Sequence, residues 1–237
     1  PDMAMNNLER FIASSRNPMA TAALFERDPE ALPNLLQLFS TSQHLSDLLV
    51  ADQEAYDLLR MTEGQPVARL ALVEELVNEI RALGNASEVM ASLRRYKRRE
   101  TLRIAYGDVV RNQPVETVTR QISYLADAIV EAALDFAQRH LHEQYGTPLR
   151  ADGERSRFVL LGLGKLGGVE LNYSSDIDLV CLYEQDGQTD ARRVVSNQEY
   201  FERLAKEVIR LLTEPTELGA AYRVDLRLRP EGARSPL

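Results

Sequence analysis

The chain has 237 residues, 44% hydrophobic and 27% charged, a composition suited to a soluble globular protein of one large or two modest domains. A net charge of −8, no tryptophan and only 6% aromatic residues exclude a basic nucleic-acid coat and any obvious base-stacking platform. No apolar run reaches membrane-spanning length, the N-terminus lacks a signal-peptide pattern, and the single cysteine, Cys181, rules out an internal disulfide. A reduced, cytoplasmic protein with no nucleic-acid or membrane partner is expected.

Residues 1–150 read as successive helices. Leu32, Leu35, Leu36 and Phe39 recur at helical spacing, as do Leu45, Leu48 and Leu49, with Pro29, Pro33 and Ser46-Asp47 as starts and caps. Longer helices are expected over about 66–84 and 87–112, broken at Gly84-Asn85. Another, over about 114–145, carries Val118, Ile122, Leu125, Ile129, Ala133 and Phe136 on one face and stops near Gly146-Thr147-Pro148. The basic run Arg94-Arg95-Tyr96-Lys97-Arg98-Arg99 reads as a solvated helix face, and His44, His140 and His142 as surface or packing residues.

The texture changes at 149–157, a polar linker, so the expected organisation is a helical region over 1–150 and a second domain over 151–237. Phe158-Val159-Leu160-Leu161 reads as a buried strand entering Gly162-Leu163-Gly164. A short glycine-containing segment, a strand over 176–183, a helix over about 197–213 and a strand from Ala221 to Leu228 follow. Strand, short helix, strand, helix, strand describes an α/β or α+β unit. The chain stops soon after Arg229-Pro230, which reads as a piece of something longer.

Ser174-Ser175-Asp176-Ile177-Asp178-Leu179 carries the chemistry. Strand periodicity puts Asp176 and Asp178 on one face, and a pair of hard oxygen ligands suits Mg²⁺, which binds through one or two carboxylates and substrate phosphates. Alternation in Tyr222–Arg229 makes Asp225 a candidate third carboxylate and puts Arg227 and Arg229 on its face as phosphate ligands. Three acids on adjacent strands would form a two-metal site for phosphoryl displacement. Gly164 and Lys165, leaving a strand for a short helix, offer backbone amides and a point charge to a phosphate, and Ser174 and Ser175 add hydroxyls.

A competing pattern, Gly162-x-Gly164-x-x-Gly167 with Glu184 downstream, matches the dinucleotide fingerprint. Its crossover helix would have to be built from Gly168, Asn172 and Ser174-Ser175, and it leaves the aspartates unexplained. A P-loop is excluded because leucine follows Lys165. A regulatory module whose acids bind nucleotide or metal without turnover is a further alternative.

Leu163-Gly164-Lys165, ten residues, Asp176-Ile177-Asp178 and a later Asp225 together resemble the DNA polymerase beta-like nucleotidyltransferase superfamily, with Lys165 where serine or glycine is usual. Three segments are similar to the bifunctional glutamine synthetase adenylyltransferase/adenylyl-removing enzymes: Gly162–Gly168, Glu170–Asp178 and Arg223–Pro230. Leu93–Tyr96 and Leu102–Ala105 resemble the helix before their catalytic core. The resemblance implies an α+β fold, with a helical region ahead of a nucleotidyltransferase core of mixed sheet and flanking helices. It also implies Mg²⁺ or Mn²⁺ held by Asp176, Asp178 and Asp225, with ATP or ADP and phosphate as substrates. Glutamine synthetase and a PII-type signalling protein are the implied partners. The wording of the segments is nearer the half that removes AMP by phosphorolysis, releasing ADP, than the half that attaches AMP from ATP.

Overall fold

A computed structural model describes residues 2–225. Eight helices come first: α1 (Asp2–Ala13), α2 (Pro18–Arg27), α3 (Ala31–Thr41), α4 (Gln43–Ala51), α5 (Glu54–Thr62), α6 (Arg69–Arg81), α7 (Ala86–Val109) and α8 (Val115–Tyr145). Then follow β1 (Pro148–Arg150), β2 (Phe158–Leu163), α9 (Gly164–Gly167), β3 (Ile177–Tyr183), β4 (Gly187–Thr189), α10 (Asn197–Thr213) and β5 (Val224–Asp225). The fold is α+β, as expected. The described residues form two compact units, 2–67 with 98–121 and 68–97 with 122–225, and both α7 and α8 contribute to each.

In the first unit α1, α3, α4 and α5 bury Phe11, Leu35, Phe39, Leu49 and Tyr56, joined by Leu102, Ala105 and Tyr106 of α7. Phe11 meets the rings of Phe39 and Tyr56 edge-on at 5.7 and 6.4 Å, a favoured aromatic geometry. Ser42, rather than Ser46, caps α4: its extended backbone lets its hydroxyl accept the Leu45 amide, while Ser46 is buried within the helix. A buried polar cluster lies beside this core. Arg103 donates to Glu100 at 2.6 Å, to Gln121 at 2.8 Å and to the Gln65 carbonyl, and Gln121 closes both backbone groups of Val67 at 2.8 and 2.9 Å. With both charges paired and their remaining polar atoms hydrogen-bonded, burial is tolerable.

The second unit is built on α8, where Ala126, Ala128, Ala132, Ala133 and Ala137 are wholly buried; such small side chains let neighbours approach closely. The helix ends as expected at Gly146, whose φ of +73° turns the chain and whose amide returns to the His142 carbonyl at 2.8 Å. Within 149–157 the structure forms one strand that the sequence hides: β1 pairs antiparallel with β4, Pro148 opposite Thr189. Strands of three residues leave no readable periodicity. The larger sheet has the order β2-β3-β5, with β2 antiparallel and β5 parallel to β3. Phe158 of β2 and Tyr183 of β3 stack on Phe201 of α10 at 5.4 and 5.0 Å, so α10 covers that face. Ser196 caps α10 by accepting the Glu199 amide at 3.2 Å.

The basic run departs from its expected exposure. Arg94 is 1% exposed and Tyr96 2%. The Arg94 guanidinium donates to the carbonyls of Leu211 (3.1 Å), Gly219 (2.7 Å), Met90 (2.8 Å) and Glu214. Leu211 and Glu214 lie at the C-terminal end of α10, where carbonyls lack helical partners and a cation is favoured. Spacing along α7 cannot reveal that another helix ends against this face.

Arg103→Met should lower the stability of the first unit by about 2 kcal/mol, because Glu100 would keep only Arg99 as a partner and the Gln65 carbonyl and Gln121 would lose their donor. Urea denaturation followed by circular dichroism measures it.

Candidate nucleotidyl-transfer site

Strand pairing, more than sequence spacing, assembles the candidate site. Leu163 at the end of β2 lies opposite Asp178 of β3, and Asp178 lies opposite Asp225 of β5. Residues in register on neighbouring strands point to the same face, about 5 Å apart. Ile177 and Leu179 of β3 are buried, on the face toward α10, so Asp178 and Asp225 stand on the other. On that outer face Val159, Leu161 and Leu182 are 45%, 42% and 42% exposed, leaving an open apolar surface beside the acids.

The glycine turn closes over Asp178. Gly164 has φ +54°, and a Cβ there would lie 2.5 Å from an Asp178 carboxylate oxygen, so only glycine fits. Lys165 follows, exposed, on the single turn of α9. The loop from α9 into β3 is fastened where the Leu171 amide donates to the buried Ser123 hydroxyl of α8 at 3.0 Å. Of the two serines, Ser174 is exposed, whereas the Ser175 hydroxyl accepts the Asn172 amide at 3.3 Å and so serves the turn.

Asp176 lies just before β3, and its carboxylate accepts from Arg223 Nε at 2.6 Å. Because the Ile177 amide donates to the Arg223 carbonyl at 3.0 Å, the ladder extends one position and sets Arg223 beside Asp176. The pair is open to solvent, with side chains 77% and 49% exposed. Arg223 is the site residue that sequence reasoning passed over. Its signal was the same alternation that singled out Asp225, read two residues upstream.

The structure thus brings Asp178 and Asp225 together beneath Gly164 and pairs Asp176 with an arginine. Among the described residues, no group of three or more His, Cys, Asp or Glu side chains has the geometry to hold a metal ion. The two in-register carboxylates are nonetheless the donor set a hard divalent cation takes when phosphates and water complete its shell. Arg227 and Arg229 lie outside the described residues. Cys181 is half-buried on β3, and His140 stacks on Phe136 at 5.9 Å.

Topology disposes of the dinucleotide alternative. That fingerprint needs a parallel crossover, whereas β2 and β3 are antiparallel and α9 has four residues. Glu184, its expected ribose ligand, is engaged by Arg157 at 3.2 Å and Arg150 at 3.0 Å, and these contacts, the Arg157 hydrogen bond foremost, lower its pKa to about 2.

Comparison with known proteins identifies the family. The family model described as Glutamate-ammonia ligase adenylyltransferase matches residues 32–237. A bifunctional glutamine synthetase adenylyltransferase/adenylyl-removing enzyme of Pseudomonas aeruginosa is 36% identical over 96% of this chain and 24% of its own length. The enzyme of the same name from Shewanella loihica is 35% identical over 88% of the chain and 22% of its own length. That of Nitrosococcus oceani is 41% identical over 70% and 17%. The chain therefore spans about a quarter or less of the length of these relatives. With the family match covering most of its length, the chain belongs to the glutamate-ammonia ligase adenylyltransferase family.

Proposed function

We propose that this chain carries a metal-dependent nucleotidyl-transfer site that removes AMP from an adenylylated tyrosine of glutamine synthetase by phosphorolysis, releasing ADP. The observation that carries the reading is the in-register pair Asp178–Asp225 beneath the Gly164 turn. Paired carboxylates on one strand face are the hard oxygen donors that Mg²⁺ takes when phosphates and water complete its shell. The relatives' names supply the substrate class: an adenylyl group, and glutamine synthetase as its carrier. The direction rests on the wording of Glu170–Asp176 and Arg223–Pro230, nearer the deadenylylating half.

In this reading residues 151–237 are the catalytic core and 1–150 a helical lead-in, acting in the cytoplasm with a PII-type signalling protein as regulator. Asp178 and Asp225 would hold Mg²⁺ or Mn²⁺, with Asp176 as a third ligand if it were released from Arg223. When bound, the metal lends positive charge to the phosphate oxygens. Gly164 and Lys165 face the incoming inorganic phosphate, with Ser174, Arg227 and Arg229 as further phosphate ligands. A phosphate oxygen forms the new bond to the AMP phosphorus as the bond to the tyrosyl oxygen breaks. That oxygen takes a proton, leaving free tyrosine and ADP.

Asp178→Asn should abolish phosphate-dependent ADP release from adenylylated glutamine synthetase while leaving the circular dichroism spectrum unchanged; undiminished release would sink the assignment. If the wild-type chain transfers AMP from ATP and shows no phosphorolysis, the direction is reversed. If it binds Mg-ADP in calorimetry but turns over in neither direction, it is a binding module. Gly164→Ala strains the backbone by about 1 kcal/mol or more and displaces Asp178, so activity should fall at least tenfold with a small drop in melting temperature. Exposed ion pairs contribute up to about 1 kcal/mol, so Arg223→Gln, by freeing Asp176, should tighten Mn²⁺ binding by up to about fivefold in a spin-resonance titration.

A further inference from the structure

The chain enters β5 through residues 214–223, which form no helix, and among the described residues the parallel ladder that receives it pairs Ile177 with Val224 and Asp178 with Asp225. The segment that approaches this ladder is held by several further ties. Pro215 forces Glu214 out of helical conformation, to φ −61° and ψ 124°, and ends α10 there. Beyond it, Ala221 and Tyr222 both donate their amides to the Leu212 carbonyl, at 2.9 and 3.0 Å.

The remaining ties come from the buried side of α7. Arg94 binds the carbonyls of Leu211, Glu214 and Gly219. One turn along the helix, Lys97 donates to the Ala221 carbonyl and sets its ammonium 4.0 Å from the centre of the buried Tyr222 ring. We propose that Lys97, backed by Arg94, is the positioning residue for Asp225, anchoring the backbone at Ala221 and Tyr222 so that β5 enters the sheet in the register that sets Asp225 opposite Asp178.

Burial lowers the Lys97 pKa to about 8, with the charge of Arg94 adding to the effect. A charge kept in so unfavourable a place is put to structural use there, because an apolar side chain would leave the Ala221 carbonyl without this donor. Asp225 lies four positions after Ala221, so a small displacement at the anchor carries directly to the carboxylate. The catalytic part of this inference rests on the proposed metal role of Asp225; the anchoring part does not.

The test compares Lys97→Met and Lys97→Arg in the full chain, read by native-state amide exchange and by titration with Mn²⁺ alone. In Lys97→Met the Ile177 amide, which donates to the Arg223 carbonyl across the β3–β5 ladder, should exchange at least tenfold faster. Amides of the β2–β3 ladder should stay protected, Mn²⁺ affinity should fall about tenfold, and Lys97→Arg should recover most of both. Unchanged exchange at Ile177 would overturn the proposal, as would a uniform loss of protection that Lys97→Arg does not repair. If Mn²⁺ binds Asp225→Asn as tightly as wild type, the metal reading of Asp225 fails, and exchange at Ile177 alone decides the role of Lys97.

Discussion

Two like charges held in register on parallel neighbouring strands are the constraint around which the second unit is arranged. Asp178 and Asp225 lie opposite one another across the β3–β5 ladder. The arrangement depends on what surrounds it: α10 under the sheet, a glycine turn that leaves room for the Asp178 carboxylate, and an arginine that closes the end of α10 and grips the segment leading to β5.

The two faces of the sheet divide the work. The face toward α10 is apolar and closed, with Ile177 and Leu179 buried and Phe158 and Tyr183 stacked on Phe201. The opposite face carries Asp176, Asp178, Arg223 and Asp225 on an open surface. Under the proposed function, this open surface would let a tyrosine-borne adenylyl group approach the acids without its backbone entering a cleft. Arginine at Asp176 fits the same scheme: a solvated ion pair is weak enough to yield to a stronger cation.

The elements around the acids were legible because local rules act there without competition. Alternation marked the strands, and the expected helix over 197–213 coincides with α10. The glycine turn could be recognised as a close approach, though not what it approaches. Arg223 was visible in principle, since it shares the alternation of Asp225, but its partner Asp176 lies 47 positions away in sequence. The run 94–99 misled for a related reason: charged residues on a helix are usually solvated, and only packing decides otherwise.

Composition, periodicity and motif spacing in the sequence determined an α+β chain and placed its candidate acids and glycines on strands and turns, because these features depend on neighbours within a few residues. Tertiary structure alone decided which carboxylates face one another, that Asp176 is held by Arg223, and that buried Arg94 and half-buried Lys97 fasten the segment before β5. Those outcomes follow from strand register and from where one helix ends against another, contacts between residues 47 to 125 positions apart that no local pattern encodes.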